Sequence, residues 1–481
     1  MRIGRVLAVC RWVAVCGWVV ALGAVAGGAG REQWTQFRGP ASGVIADDPA
    51  LPDAWSAERN IAWKTPIPGR GWSSPIVWDD HVFVTSVISS EPAPRPGLDI
   101  IEDGKGASYK EGMRAPILKA PHRWVLYDID FKSGKVRWER ELSSGEPLAA
   151  KHPKNSYASE TPVTDGQRVY VYNGDLGLHA VDFKGKLLWT TRVQPPNSLP
   201  AENPEFAARR IDFGTAASPA LYKDRLFVVD DHEPSRPWFL AAYATASGKE
   251  LWRVTSERFK PGGPTWATPF VWEHGGRTEV IVLAGGAVRS YDINGQPLWH
   301  VRGLGSNSTP TPIAANGLLY VSAGYPADAT RPVWAIKPGG AGDITPKDGE
   351  SASAFVVWSQ PKLASYMPSA LVYGKYLYTL ESQGFLQSND ALTGERVYGR
   401  KRIDPATSGF TASPWAYNGK LFALSEDGDT YVIQPGAEFK VLGKNSFGEM
   451  ALATPAVLRG SLFFRTVSGV YRVTRRGGGR P

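Results

Sequence analysis

The chain of 481 residues contains only two cysteines, Cys10 and Cys16, and both lie close to its N terminus. The rest of the sequence can therefore form neither a disulfide nor a thiolate metal site. Seven histidines are dispersed without HExxH spacing, and the chain has no P-loop, GxGxxG or GxSxG motif. The sequence therefore lacks the usual motifs of zinc proteases, of nucleotide-binding enzymes and of serine hydrolases.

Excess charge of one sign is also small. The chain has 54 basic and 46 acidic residues, and three of the arginines lie in the first eleven positions. A balance so close to neutral gives no support to a nucleic-acid partner or to an anionic membrane surface. We therefore predict no nucleic-acid binding.

The N terminus has the pattern of an export signal. Three arginines flank or precede an apolar run over residues 12–22, and Ala24-Val25-Ala26 supplies a small-x-small cleavage site. The alternative is an uncleaved anchor, but a bilayer-spanning helix needs about 20 apolar residues. We expect residues 1–26 to be a cleaved signal peptide, so that the mature protein is periplasmic or secreted, with no transmembrane segment and no lipid-anchor cysteine.

An internal repeat dominates the remaining sequence. A proline after serine or threonine opens most units, which recur at the roughly 40–50-residue spacing of propeller blades. One further unit, at Met367-Pro368, has the proline without the hydroxyl. The openings with both residues are Ser74-Pro75, Thr161-Pro162, Ser218-Pro219, Thr268-Pro269, Thr311-Pro312, Ser413-Pro414 and Thr454-Pro455. We expect hydroxyls of these pairs to satisfy backbone groups at the starts of strands. They are those of Ser74, Thr161, Ser218, Thr268, Ser413 and Thr454.

Each unit contains four short apolar runs separated by turns. Asp165-Gly166, Asn316-Gly317 and Asn418-Gly419 are typical of two-residue hairpins, because both central residues need a positive φ. The fourth run ends near a large aromatic residue, which we expect to pack between neighbouring units rather than to bind a ligand. These structural residues are Trp63, Trp138, Trp189, Trp252, Trp299, Trp358 and Tyr398.

Four strands per repeat predict an all-β fold, an eight-bladed β-propeller of four-stranded antiparallel blades. The eighth unit has three strands, and Ile61-Ala62-Trp63-Lys64 is a strand without a unit of its own. Pairing this N-terminal strand with the last blade would close the ring and remove its exposed edges; seven blades is the alternative. The predicted organisation is a signal peptide (1–26), an extension packing on the propeller (27–59), the propeller (60–473) and a flexible tail (474–481).

Three segments resemble a known family. The repeat Asp-x-x-[Ser/Thr]-Gly-Lys-x-x-Trp over residues 130–138 resembles the PQQ-like (pyrroloquinoline quinone) β-propeller repeat. The segment Trp-Thr-Gln-Phe-Arg-Gly-Pro over residues 34–40, with Gly-Trp-Ser-Ser-Pro over 71–75, resembles exported proteins of that family. The resemblance implies either a quinoprotein alcohol dehydrogenase with PQQ and calcium or a cofactor-free scaffold like BamB. The chain lacks the adjacent cysteines of the former and the lipid-anchor cysteine of the latter.

The connections indicate which end of the ring carries function. Turns between first and second strands and between third and fourth strands are tight, except for residues 338–354. The other connections, at the opposite end, hold the longer segments 89–120, 142–158, 193–213 and 255–265. Long loops on a rigid scaffold are where binding residues usually lie, so we name this end the loop face. Residues expected at its channel mouth are Trp72, Tyr157, Trp266, Asn307, Tyr366 and Phe410.

These features favour a non-enzymatic scaffold that binds a protein or polymer partner on its loop face as a monomer. No cofactor and no metal site are predicted, and no catalytic residue can be named. PQQ with calcium remains possible, because a divergent quinoprotein oxidoreductase is the second hypothesis. A third is an extracellular carbohydrate-binding propeller, which would use the aromatic residues of the mouth for stacking.

Overall fold

The structure is a computed structural model of the full chain. It describes residues 1, 32–91, 96–97, 120–152, 154–195, 213–232, 236–260 and 262–475. The chain divides into two compact units, Met1–Glu32 and Gln33–Pro481, and the account below concerns the second. The predicted signal peptide over residues 2–26, most of the 89–120 insertion and residues 476–481 of the tail lie outside the described residues.

Within this part of the chain, thirty-three strands form eight sheets, and the single helical element is a 3-10 turn at Gly174–Leu176. Blade 1 consists of β2 (Ile76–Trp78), β3 (His81–Ile88), β4 (His122–Asp130) and β5 (Val136–Gly145), and blade 2 consists of β6 (Val163–Thr164), β7 (Arg168–Asn173), β8 (Gly177–Asp182) and β9 (Leu187–Thr191). Blade 3 consists of β10 (Ala220–Tyr222), β11 (Arg225–Asp230), β12 (Phe239–Ala244) and β13 (Glu250–Val254). Blade 4 consists of β14 (Phe270–His274), β15 (Arg277–Ala284), β16 (Ala287–Asp292) and β17 (Pro297–Arg302).

The other four complete the ring. Blade 5 consists of β18 (Ile313–Ala315), β19 (Leu318–Ser322), β20 (Val333–Ile336) and β22 (Val356–Gln360), and blade 6 consists of β23 (Leu371–Tyr373), β24 (Tyr376–Leu380), β25 (Phe385–Asp390) and β26 (Arg396–Arg402). Blade 7 consists of β27 (Trp415–Tyr417), β28 (Lys420–Leu424), β29 (Asp429–Ile433) and β30 (Val441–Ser446). Blade 8 consists of β31 (Ala456–Leu458), β32 (Ser461–Arg465), β33 (Gly469–Thr474) and the N-terminal strand β1 (Ile61–Pro66). The short strand β21 (Gly342–Asp343) pairs in parallel with β17 and extends blade 4.

The ring is closed by strands from the two ends of the chain. Strand β1 runs antiparallel to β33, with Ile61 opposite Val473 and Pro66 opposite Gly469. The indole of Trp63 packs against Phe463, with ring centroids 5.9 Å apart. The predictions of eight blades and of closure by an N-terminal strand are both confirmed.

Neighbouring blades are joined by a repeated indole contact. Trp63 of blade 8 donates its Nε1–H to the carbonyl of Phe131 in blade 1 at 2.9 Å, and its ring lies on Gly134 of the same turn. A Cβ at Gly134 would come within 2.6 Å of the indole, so the glycine is required for the contact. The same arrangement, with Nε1 to carbonyl distances of 3.0 to 3.1 Å, is made by Trp138, Trp189, Trp252 and Trp358.

Three blade junctions depart from this arrangement. Trp299 donates to Glu279 of its own blade at 2.7 Å and packs on Gly340, which precedes β21. Tyr398 packs edge-on against Phe439. Between blades 7 and 8, the outer strand of blade 7 carries no aromatic residue, and Trp55 of the N-terminal extension packs on both Phe422 and Phe464 instead.

The N-terminal extension also crosses the centre of the ring. Trp34 pairs with Val77 of blade 1, and the carbonyl of Thr35 accepts from Thr164 of blade 2. A few residues later, Arg38 donates to the Ala370 carbonyl at the start of blade 6, at 2.9 Å. Blades 2 and 6 stand opposite each other in a ring of eight, so residues 34–44, here named the axial segment, must cross the axis.

Arg38 is the charged residue of the axial segment, and only 2% of its surface is exposed. Its Nη2 bonds backbone carbonyls, whereas Nε and Nη1 have no hydrogen-bond partner among the described residues. Burial lowers the pKa of this guanidinium to about 9. The ring therefore holds a desolvated cation near its axis.

No helix in the part of the chain that the structure describes is both long and apolar enough to cross a lipid bilayer. The extended strands and the hairpin turns account for almost all of the regular structure.

The apolar core lies between adjacent blades rather than within any one of them, as in the cluster that joins Val84 and Tyr127 of blade 1 to Phe463 of blade 8.

Replacing Trp63 should test the blade contact at the point of closure. Trp63→Ala removes a buried indole and leaves a cavity, so we expect the free energy of unfolding to fall by about 3–5 kcal/mol. Ala62→Ser, on the exposed side of the same strand, should change stability by less than about 0.5 kcal/mol. Urea unfolding measures both; equal effects would show that the indole contributes no specific packing.

Candidate functional site

A cavity of about 210 Å3 lies on the ring axis at the loop face. The residues that line it come mainly from the links that lead into the first strands of the blades, and they converge because those strands all start around the axis. Phe37 of the axial segment also contributes to the lining. We call this space the axial cavity.

A circle of hydroxyls forms one level of the axial cavity, one from each blade. Backbone N–H groups of successive blades donate to them, and six such bonds have lengths of 2.9 to 3.2 Å, as in Ser74 N to Thr161 Oγ1. The members of this hydroxyl ring are Ser74, Thr161, Ser218, Thr268, Thr311, Ser369, Ser413 and Thr454. The expected role of the repeat hydroxyls at strand starts is therefore observed, as bonds between blades, for Thr161, Ser218, Thr268, Ser413 and Thr454. The Ser74 hydroxyl accepts no backbone N–H from the described residues.

Ser369 corrects the sequence interpretation of one repeat. The unit at Met367-Pro368 was predicted to lack the hydroxyl, but Ser369 accepts from Thr311 N and its own N–H donates to Ser413 Oγ, both at 3.0 Å. Ser369 thus occupies the hydroxyl position, and Ala370 replaces the proline. The sequence pattern was aligned on Pro368, which stands two residues before Ala370, the residue at the proline position of the repeat.

The hydroxyl protons of the ring are not donated to the described part of the protein. Among the described residues, none of the eight hydroxyls donates to a protein acceptor, although six of them accept a backbone N–H. The side chains of Ser74 and Thr311 make no hydrogen bond with any described residue. By contrast, Thr309 and Thr411 line the same cavity but donate their hydroxyl protons to the Tyr366 carbonyl and to Glu426. The axial cavity therefore presents O–H donors.

Aromatic side chains form the walls. The ring of Phe213 packs edge-on against Trp266 at a centroid distance of 5.8 Å, and Tyr325 packs edge-on against Tyr366 at 5.0 Å. Phe213, Tyr325 and Phe37 were not among the residues predicted for the mouth. The first two lie in loops without a repeated position, and the axial segment carries no pattern that predicts a path through the ring.

Four of the six residues predicted at the mouth line the axial cavity: Trp72, Trp266, Asn307 and Tyr366. Trp72 donates its indole N–H to the Lys154 carbonyl at 2.8 Å, and Trp266 donates to the Gly214 carbonyl at 2.7 Å. These bonds fix the two indoles to the links of neighbouring blades. Whether any of the four binds a ligand stays a prediction.

The other two predicted residues do not line the cavity. Tyr157 packs against His122 and Trp124, and its hydroxyl donates to the Ala149 carbonyl at 2.6 Å. Phe410 is fully buried between blades 6 and 7, where its ring lies against Tyr431. In both links the chain turns so that a smaller neighbour, Ser159 or Thr411, faces the axis.

A buried ion pair connects two loops beside the cavity. The Nζ of Lys154 lies 2.6 Å from Oε1 of Glu426, and both side chains are almost completely buried. Glu426 also accepts from the Thr411 hydroxyl and from the Gly97 N–H, each at 2.7 Å. Lys154 precedes blade 2 and Glu426 belongs to blade 7, so the pair links blades that are separated by blades 8 and 1.

A second group of charged side chains, around Glu91, lies where the long segment between the second and third strands of blade 1 begins. Lys151 lies 3.1 Å from Glu91, which also faces Arg70 at 3.5 Å. Burial lowers the pKa of Lys151, and the neighbouring carboxylate opposes that shift. The cations near the cavity on this side are thus balanced by carboxylates that belong to the loops themselves.

The donor set does not fit calcium-bound PQQ. Calcium requires six to eight oxygen ligands, of which carboxylates supply the charge, yet no described lining residue of the axial cavity is an aspartate or a glutamate. Two buried carboxylates lie beside the lining. Glu426 accepts from Lys154, Thr411 and Gly97, and Glu160, between the lining residues Ser159 and Thr161, accepts from the Thr215 hydroxyl. The described residues contain no cluster of three histidine, cysteine or acidic side chains suited to a metal.

Comparisons with known proteins agree with the geometry of the ring. The model of a protein family, described as outer membrane protein assembly factor BamB, matches residues 122–238 and 239–480. The chain belongs to this family. That assignment confirms the resemblance to PQQ-like propellers that the repeat predicted. No curated protein matches the sequence.

Solved structures show the same fold in two different contexts. BamB from Moraxella catarrhalis is 12% identical, with a TM-score of 0.51, and the match covers 75% of this chain and 95% of that one. A quinohemoprotein alcohol dehydrogenase from Comamonas testosteroni is 13% identical, with a TM-score of 0.57, over 93% of this chain and 81% of that one. At such low identity these likenesses establish the propeller fold alone.

Removing the cation of the buried pair should destabilise the protein. Lys154→Met leaves the Glu426 carboxylate buried without its ammonium, so we expect the free energy of unfolding to fall by about 3–5 kcal/mol. The matched control is Lys64→Met, because Lys64 forms a solvent-exposed pair with Glu449 at 3.0 Å and should contribute less than about 1 kcal/mol. Urea titration compares them; a loss no larger for Lys154 than for Lys64 would contradict this assignment.

Proposed function

We propose that this chain is an exported, non-enzymatic binding propeller that holds a protein or polymer partner at its loop face, around the axial cavity. The observation that carries the proposal is the lining of that cavity. It offers aromatic walls and hydroxyl donors, but its described residues include no carboxylate or thiol that could serve as a base, a nucleophile or a metal ligand.

A divergent quinoprotein oxidoreductase is the competing function. It would need a carboxylate beside the quinone and calcium as a Lewis acid. Of the buried carboxylates beside the lining, Glu426 is paired with Lys154, and moving it into the cavity would break a buried ion pair. Glu160, between the lining residues Ser159 and Thr161, accepts from the Thr215 hydroxyl. The family assignment supports the scaffold more directly, because the family is described as that of an outer membrane protein assembly factor.

The place of action is part of the same proposal. The leader pattern of residues 1–26 and the absence of cysteine after Cys16 favour a periplasmic or secreted protein without a lipid anchor. A monomer fits a ring whose strands are closed by β1 and whose blade edges carry charged side chains, such as Arg137 and Glu139 of β5.

Titration with PQQ and calcium separates a scaffold from an enzyme. We expect the tryptophan fluorescence to remain unchanged and dye-linked alcohol oxidation to be absent, because no described lining residue of the axial cavity is a carboxylate that could hold the metal. Trp72 and Trp266 line the cavity and would report occupancy directly. Saturable quenching accompanied by turnover would overturn the proposal in favour of an oxidoreductase.

Photo-crosslinking in the producing cells tests the face that binds. A photo-reactive amino acid replacing Asn307 lies at the cavity rim on the loop face, whereas one replacing Lys375 lies on the exposed hairpin turn at the other end of the ring. We expect a discrete crosslinked partner from position 307 and none from position 375. Crosslinks from position 375 alone, or from neither position, would contradict binding at the loop face.

A further inference from the structure

Arg465 is a buried cation that has no hydrogen-bond partner for its side chain among the described residues. It is the last residue of β32 in blade 8, where it pairs with Val470 of β33, and its whole surface is buried. Its Nε, Nη1 and Nη2 atoms all lack an acceptor in the described chain. A guanidinium carries five N–H donors and accepts nothing, so all five are unmatched. Buried polar groups are hydrogen-bonded with few exceptions, and an exception of this size calls for a bound water or ion.

The guanidinium lies in the junction at which the ring closes. Side chains alternate between the two faces of a strand, so Arg465 shares a face with Phe463, whose ring packs against Phe131 of blade 1 at 5.1 Å. Tyr127 of blade 1 also acts on the charge of Arg465. The apolar residues in the core cluster of this junction include Val84, Val125 and Val470. Arg465 therefore places a charge between the packed faces of blades 8 and 1.

The charges around Arg465 do not cancel. The Glu449 carboxylate, in the link between blades 7 and 8, acts on Arg465. However, it accepts hydrogen bonds from Lys64, at 3.0 Å, and from the Tyr471 hydroxyl. One carboxylate thus serves two cations. Burial lowers the pKa of Arg465 to about 10, so the guanidinium stays charged at neutral pH. An unpaired charge is among the most costly groups to bury in a protein.

A comparison with Arg38 shows what is missing at Arg465. The Nη2 of Arg38 donates to the carbonyls of Ala370 and Pro414, so the backbone meets part of its hydrogen-bonding capacity. Arg465 makes no such bond among the described residues. Water molecules would accept its protons but would leave its charge unbalanced, whereas an anion does both. The space between close-packed blades is small, which favours an anion of a single atom.

We propose that a monovalent anion of the size of chloride binds Arg465 in the junction between blades 8 and 1. The anion accepts N–H bonds from the guanidinium, balances its charge and becomes part of the contact that closes the ring. Arg465 does not line the axial cavity. The inference therefore goes beyond the proposed partner binding, and either can fail without the other.

The thermal midpoint of the full chain tests the proposal when chloride replaces gluconate at constant ionic strength. An anion that binds only the folded state stabilises it in proportion to the logarithm of the anion concentration, once that concentration exceeds the dissociation constant. Between about 1 and about 300 mM chloride, we expect the midpoint to rise by about 2–4 °C. Equal midpoints in the two salts would overturn the proposal.

Two variants assign the chloride effect to one side chain. Arg465→Met keeps the length of the side chain but removes its charge and donors, so the midpoint should no longer depend on chloride. In gluconate it should be at least as stable as the unchanged protein, because it buries no unpaired charge. The control is Arg472→Met, in the same junction, whose guanidinium donates to the Phe131 carbonyl at 3.0 Å and to the Ser461 hydroxyl at 3.1 Å. It should lower the midpoint but keep the chloride dependence. Chloride dependence retained in Arg465→Met, or lost in both variants, would overturn the assignment.

Bromide locates the ion directly, because it resembles chloride and scatters X-rays anomalously. Crystals of the unchanged protein grown in bromide should show an anomalous peak at hydrogen-bond distance from the Arg465 guanidinium, and crystals of Arg465→Met should show none there. Ordered water without an anomalous peak at this position would overturn the proposal, as would a guanidinium hydrogen-bonded to a protein acceptor instead. This measurement does not depend on reversible unfolding.

Discussion

The structure depends on contacts between blades, because no blade can cover its own two faces. Two circles of hydrogen bonds supply these contacts. At the outer strands, an indole N–H meets a carbonyl of the next blade and the indole lies on a glycine; around the axis, a backbone N–H meets a hydroxyl of the next blade. Both kinds of bond pass between neighbours, so the stability of each blade depends on the next one in the ring.

The inner circle explains why the centre of the ring is chemically distinctive. Joining the blades uses the acceptor capacity of the hydroxyls and leaves their protons facing a common space. The links that carry Trp72 and Trp266 are fixed by their own indole N–H bonds to backbone carbonyls, so the walls are held before any ligand arrives. The hydroxyl level of the axial cavity therefore arises from the packing of the scaffold, whereas Phe213 and Tyr325 in its walls come from loops.

The sequence predicted those features that repeat. The eight units, the closing strand around Trp63 and most of the outer tryptophans follow from positions that recur along the chain. Four of the six residues that the same spacing predicted for the mouth line the axial cavity. The features that occur once were not predicted. Phe37 and Arg38 lie in a segment without periodicity, so nothing in their neighbourhood indicates a path across the ring. Tyr157 and Phe410 do not line the axial cavity, because the direction of a side chain in a link depends on local turns that spacing does not reveal.

Closure by β1 has a consequence for how the protein reaches this state. The strand is made early in synthesis, yet its partner β33 is among the last residues to appear. The axial segment just before β1 must likewise be surrounded by blades that do not yet exist. Assembly therefore ends with a contact between the extremes of the sequence, and proteins dominated by such distant pairings fold slowly. Until β1 pairs with β33, the last blade lacks its outer strand and the edge of β33 stays unpaired. This pairing is therefore the step at which aggregation has to be avoided.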